Sequence, residues 1–223
     1  MQRIYRAVLL IACLSLPDQA LAAGAYMVDD ADIVDPGSWQ SESWFTHTDT
    51  GKNLGVINAM HQILPETELT LQASIDTLSG GANNLFSPQI KYRFHTKDHN
   101  GVTASMVIGT DVSLNRAHQT NLMAYMPVTW NVNDSLDLNG NLGWLYTDST
   151  HHHSTLWGMG GEYHVNERYS GVGEVFGRSA ESPGFQFGPR MEVNETVQLD
   201  LVFGHNVFSS HEQLITAGLT LNL

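Results

Sequence analysis

Two-residue alternation runs through almost the whole chain after residue 38, and it constrains the fold more than any composition figure does. In "LDLNGNLGWLYT", Leu136, Leu138, Gly140, Leu142, Trp144 and Tyr146 share one face, and Asp137, Asn139, Asn141 and Gly143 share the other. Successive side chains of an extended chain point to opposite sides, so one face here is apolar and ends in aromatics while its partner is polar or small. The spacing recurs at Leu122, Ala124, Met126, Val128, Trp130 and Val132, and again from Trp157 to Val165, Phe185 to Val193 and Val197 to Phe203. These segments read as strands.

About twelve such segments follow residue 38, each near the roughly 9 to 11 residues that cross a bilayer as a tilted strand. The connections alternate in length as well. Tight turn chemistry sits at "LPET" (Leu64 to Thr67), "NDS" (Asn133 to Ser135), "NER" (Asn166 to Arg168) and "NET" (Asn194 to Thr196), with "HTKDHNG" somewhat longer. Between them fall "SGGANN", "NRAHQT", "DSTHHHS", "AESPG" and "FSSHEQ". Short turns on one side and longer loops on the other predict an all-β fold, a closed antiparallel transmembrane β-barrel of about twelve strands over 38–223, with the short turns facing the periplasm.

A soluble two-sheet sandwich also alternates, but it turns its apolar faces inward and does not sort its loops by length. The polar faces here carry Glu42, Asp76, Lys91, Arg93, Asp111, Asp137, Glu162, Glu174, Arg178, Arg190, Glu192 and Asp200. A barrel points these charges into its lumen, where they either pair as a closed network or line a polar path. Two segments alternate poorly, "LGVINAMHQIL" and "YSGVGEVFGRS", and are expected as corners. Pro88, Pro127 and Pro189 fall inside strands, each removing a ladder donor, and argue against a perfectly regular barrel.

The N-terminus precedes this pattern. Arg3 and Arg6, an apolar stretch from Ala7 to Leu16 and the small-x-small end Ala20, Leu21, Ala22 form a secretory signal over 1–22, with cleavage expected before Ala23. "LIAC" offers a rival lipoprotein site, at the expense of a short apolar region. Cys13 is the only cysteine, so the processed chain has no thiol, which excludes disulfides and thiol catalysis. Residues 23–37 form an acidic arm with Asp29, Asp30, Asp32 and Asp35 ahead of Pro36 and Gly37. Lacking an apolar period, the arm is expected on the periplasmic side of the wall; the alternative is that it folds back as a plug, pairing with Lys91 or Arg93. Ten Lys and Arg against 23 Asp and Glu, a formal charge of -13, argue against nucleic acid as a partner.

The start "DDADIVDPGSWQSESW", the strand "SPQIKYRF", "GEVFG", and "QFGPRMEVNETVQLDLVFGHN" before the "AGLTLNL" end resemble the outer-membrane family named for the meta-pathway of phenol degradation. The resemblance implies a transporter-like barrel for small aromatic or other apolar compounds, and it places Glu42 and Asp200 at family positions. It brings no catalytic residue and no cofactor. The expected location is the bacterial outer membrane. The expected partners are its lipid and lipopolysaccharide, the barrel-assembly machinery that reads the hydrophobic C-terminal strand, and a small-molecule solute.

Histidine supplies the remaining motifs. His151 and His153 share one face of an extended chain and are the weak candidates for a metal, though a fixed site needs ligands from elsewhere. His152 and Ser154 have the His-x-Ser spacing of outer-membrane phospholipases, so the alternative to a non-enzymatic channel is a lipid-modifying enzyme. A structural or surface-interaction barrel without transport is the third reading.

Overall fold

The computed structural model describes residues 25–77, 83–97, 101–115, 120–179, 181–207 and 211–223. The expected signal, and parts of several long loops including His118, lie outside them. The described chain forms twelve strands: β1 Trp39–Thr48, β2 Asn53–Leu64, β3 Thr67–Asp76, β4 Asn83–His95, β5 Val102–Ser113, β6 Thr120–Asn133, β7 Leu136–Thr147, β8 His152–Asn166, β9 Tyr169–Arg178, β10 Gly184–Asn194, β11 Val197–His205 and β12 Gln213–Asn222. Each pairs antiparallel with its sequence neighbour, and β1 meets β12 from Gln40↔Asn222 to Thr48↔Leu214, closing the barrel. Closure leaves no edge with unpaired backbone groups.

The burial pattern is the reverse of a soluble sandwich. Phe45, Ile57, Ile75, Ile108, Leu142, Met159 and Phe187 are exposed on the outer wall, while Glu42, Asn58, Gln72, Lys91, Ser105 and Asp200 are buried inside. Rings stack with histidines toward both rims of that wall, as Trp39 on His61 and Trp144 on His153. Such an apolar belt with a polar interior suits lipid outside and not water.

The short-turn end is built by asparagine. The Asn133 side-chain oxygen accepts from Ser135 N, that of Asn166 from Arg168 N and Tyr169 N, and that of Asn194 from Thr196 N and Val197 N. This local bonding is why "NDS", "NER" and "NET" turn the chain so tightly. The register shifts among the described strands all sit at this same end of the barrel, at Gln62/Leu64, Arg93/His95, Asn131/Asn133, His164/Asn166 and Glu192/Asn194.

Neither poorly alternating segment is a corner. β2 and β9 pair with both neighbouring strands along their length, and their inward faces are mixed because the lumen is not uniformly polar: Leu54 and Val56 of β2 pack with Trp44, and Val172 of β9 packs with Ala25 and Tyr26. The prolines are accommodated one side at a time. Pairing skips Pro88 between Phe86↔Val112 and Gln89↔Gly109, yet Pro88 still opposes Leu71 on its other side. Pro127 faces Asn141 while β5 to β6 pairing steps from Ala104↔Val128 to Val107↔Tyr125, and Pro189 faces Gly171 while β10 to β11 steps from Phe187↔Phe203 to Arg190↔Asp200. The register is the same on both sides of each gap, so a missing donor costs one ladder locally without breaking the barrel.

Glycine is demanded at Gly188, where a Cβ would run into the Leu201 carbonyl oxygen. Gly188→Ala should destabilise the refolded barrel by about 1 to 3 kcal/mol, because backbone must move to admit the methyl group. Gly140→Ala, where nothing lies within 4 Å, is the control. Heat-modifiable mobility on gels across a temperature series measures both.

Candidate functional site

The lumen is occupied by the N-terminal arm. Ser38 N bonds Asp35 O at 3.0 Å, and Gly37 at φ 84° turns the chain from the wall back inside. This segment has no strand pairing of its own, so its backbone groups must find side chains. The wall supplies them in sequence: Val34 N donates to Glu68 at 2.8 Å, Ala31 N to Thr129 at 2.8 Å, and the Ser105 hydroxyl donates to Ala31 O. Further along, Met27 N and Val28 N donate to the two oxygens of Glu174, while Gln186 bonds both Glu174 and Ala25 O. The arm therefore crosses from β3 to β10.

Lys91 is the main tether. Its Nζ donates to Asp29 Oδ1 at 3.0 Å, Asp30 O at 3.1 Å and Asp32 O at 3.1 Å, so three donors meet three arm oxygens. The second Asp29 oxygen accepts from Tyr125 OH at 3.0 Å, and Asn141 donates to Asp29 O. Shape reinforces charge. Val28 lies over Gly158, where an added Cβ would press on it, and beside Gly160, and Tyr26 lies against the Arg190 guanidinium at 5.4 Å. Its hydroxyl reaches Gly188 O.

The arm is thus inside the barrel, not on the periplasmic side of the wall where its lack of apolar period would put it. That expectation confused absence of a lipid-facing pattern with exclusion from the lumen, and the lumen is polar. Among the candidate lumen residues, Lys91 and Glu174 hold the arm directly. Arg93 bonds Glu66 at 2.6 Å and approaches Asp32 at 4.0 Å. Arg190 is held by Glu162 at 2.7 Å and Asp200 at 2.9 Å while covering Tyr26. Glu42 is buried on Asn58 and Gln40, away from the arm tether. Asp137 bonds His164 and Asn131 near the short-turn mouth, whereas Asp76 and Arg178 sit at the long-loop ends of β3 and β9.

The alternative of a folded-back arm pairing with Lys91 or Arg93 is the arrangement found, with Asp29 on Lys91, but sequence reading missed Glu68, Tyr125, Thr129 and Gln186 as further partners of the arm. All four wall residues lie on inward parity, so the signal was present; three of them are uncharged and did not stand out from the other polar inward residues. It also missed that Val107, Met123, Tyr125 and Leu145 form a buried apolar cluster with Leu156 inside the lumen. His151 bonds Tyr146 OH and His153 accepts from Trp144 Nε1, and no group of metal-binding side chains occurs among the described residues. His152 is exposed at the rim and Ser154 is buried below it on the inward face.

Burial pushes the Asp29 carboxyl up, to about 7, desolvation outweighing the pull of Lys91, and raises Asp32 as well. A docked arm therefore holds protons that a released arm gives up, so docking is tightest near pH 4 and weakens as pH rises to about 7.

One sequence family covers nearly the whole chain, matching residues 10–223. The chain belongs to the family described as uncharacterised conserved protein UCP029691. No curated protein matches it. Among solved structures it is similar to the KdgM porin in complex with disordered oligogalacturonate, at TM-score 0.68 and 9% identity, covering 82% of this chain and 98% of that one. The outer-membrane channel from Pseudomonas putida F1 follows at TM-score 0.66 and 10% identity, covering 87% and 98%, and the NanC porin at 0.64 and 10%, covering 82% and 100%. At these identities what is shared is the fold, the closed twelve-strand barrel of porins.

A single cysteine at Val28 reports docking, since the processed chain is expected to be free of thiols. Val28→Cys should label slowly with a maleimide, and adding Lys91→Met should speed labelling at least ~10-fold, because losing one partner strands a buried charge. Normalised to urea-unfolded protein, labelling of Val28→Cys alone should also rise from pH 5 to pH 8.

Proposed function

We propose that this protein is a Gram-negative outer-membrane channel or transporter-like barrel for small compounds, closed at rest by its own N-terminal arm. The observation that carries the reading is the arm itself, hydrogen-bonded across the lumen from Glu68 to Gln186 with Lys91 at its centre. A channel that must not leak needs such a segment seated inside it.

The lumen also speaks to the solute. The KdgM structure was solved with oligogalacturonate, a polyanion. Here the luminal bases Lys91 and Arg190 are already committed to carboxylates, and the chain carries 23 acids against ten bases, so a polyanion would meet repulsion. The apolar cluster of Val107, Met123, Leu145 and Leu156 favours neutral aromatic or apolar compounds, in keeping with the resemblance to the phenol meta-pathway barrels. In this reading the short turns face the periplasm, the signal is removed near Ala22, and the partners are outer-membrane lipid, lipopolysaccharide and the assembly machinery. No catalytic step is part of it.

Planar-bilayer conductance of the mature chain tests the proposal. The full chain should pass little current, and deletion of residues 25–35 should open a steady, cation-selective one read from the reversal potential in a salt gradient. Equal conductance of the two proteins would remove the arm from the gate.

A further inference from the structure

At the short-turn mouth, on three adjacent strands, Asp137 of β7, His164 of β8 and Ser170 of β9 are joined in a line. His164 Nε2 lies 2.9 Å from Asp137 Oδ2, and His164 Nδ1 lies 3.0 Å from the Ser170 hydroxyl. A carboxylate only accepts, so the ring nitrogen facing Asp137 carries the proton. Nδ1 then offers its lone pair to Ser170, which is the tautomer a general base needs beside a hydroxyl nucleophile. The ring nitrogens are used in the opposite order to the familiar serine-protease arrangement, but the roles are the same.

The supports of this line are built into the wall. His164 and Ser170 are direct register partners, and the β8 to β9 register shift falls between His164 and Asn166, where a bulge re-aims side chains. Asn131 donates to the other Asp137 oxygen at 2.6 Å, fixing the carboxylate. The next strand places Arg190 opposite Ser170, with its guanidinium held by Glu162 and Asp200. Glu162 is the further charge facing the ring, 3.7 Å from Nδ1, and it is drawn off by Arg190 at 2.7 Å. The His164 and Asp137 side chains keep 35% and 25% of their exposure, so water reaches the line, whereas Ser170 keeps 9%.

We propose that Ser170, His164 and Asp137 form a hydrolytic site for small neutral carboxylic esters at the short-turn mouth, independent of transport through the lumen. The Ser170 oxygen attacks the ester carbonyl carbon while His164 Nδ1 takes the hydroxyl proton. The carbon–oxygen bond to the leaving group breaks, and His164 returns the proton to the departing alkoxide oxygen. A water, deprotonated by His164, then attacks the acyl-serine, releasing the carboxylic acid and restoring the serine hydroxyl. Asp137 is a positioning residue that holds the ring tautomer. The small exposure of Ser170 restricts the acyl group to a short one, and the surrounding acids disfavour anionic esters.

The test uses the refolded mature barrel in detergent with p-nitrophenyl butyrate, and a fluorophosphonate whose phosphorus bonds the serine oxygen as fluoride leaves, read by intact and peptide mass. The expected result is turnover with the label on Ser170, lost in Ser170→Ala and reduced about 100-fold or more in His164→Gln, which retains the hydroxyl. Asp137→Asn should slow labelling and change its pH profile, since an amide facing Nε2 turns the tautomer, and a merely structural aspartate would leave that profile alone. Ser154→Ala should match the parent protein. Heat-modifiable mobility identifies folded variants, and His164→Gln decides the matter if Ser170→Ala does not fold. Absence of label from Ser170, or turnover unchanged in folded Ser170→Ala or His164→Gln, overturns the proposal.

Discussion

Closure of the β1 to β12 ladder is the constraint on which everything else rests. In a bilayer an unpaired backbone amide or carbonyl has no water to bond, so the wall must satisfy every strand from both sides. Once it does, the inward parity of each strand is released from any duty to lipid. That freed surface accumulates carboxylates, amides and hydroxyls, and these create a second problem, because a closed polar interior must itself be paired or wet.

The arm answers that second problem. Its backbone meets Glu68, Thr129, Ser105, Asn141, Glu174 and Gln186, and its aspartates meet the one buried lysine. Wall and arm are complementary in the sense that each supplies the polar partners the other lacks. The tether is made of hydrogen bonds and of ion pairs to Lys91 and Arg93, and not of a continuous ladder. Tyr26 and Val28 add apolar contacts at places where the wall has withdrawn its side chains, at Gly158, Gly160 and beside Arg190. The same inward surface also holds the Asp137, His164 and Ser170 line, so one polar lining carries both the seated arm and that hydrogen-bonded line.

The barrel was legible because its rule is local: alternation tells lipid face from lumen face, and Asn-led turns tell one end from the other. Where the reading failed, it failed for a physical reason. β2 and β9 looked like corners because Leu54, Val56, Val172 and Phe176 point inward, and an inward apolar residue makes sense only once the arm and its neighbours are there to cover it. The three prolines looked disruptive because a sequence does not say that the lost donor affects one ladder while the other holds register. Sequence named both a periplasmic arm and a plug paired with Lys91 or Arg93, and could not choose between them because Asp29 and Lys91 lie far apart along the chain. His164 and Ser170 flank a turn with unremarkable spacing, and only the β8 to β9 register makes them face each other.

What the sequence by itself determined is therefore the wall: strand identity, facing, and the sorting of turns and loops, all consequences of a two-residue period acting against lipid. What only the tertiary structure decided is the contents of that wall. Whether Asp29 meets water or Lys91, whether Glu174 is a free luminal charge or a clamp on two backbone amides, and whether Ser170 lies beside a base depend on contacts across many strands. Those contacts have no period, because they are set by which side chains the closed ring brings to one level and by a segment that enters from outside the repeat.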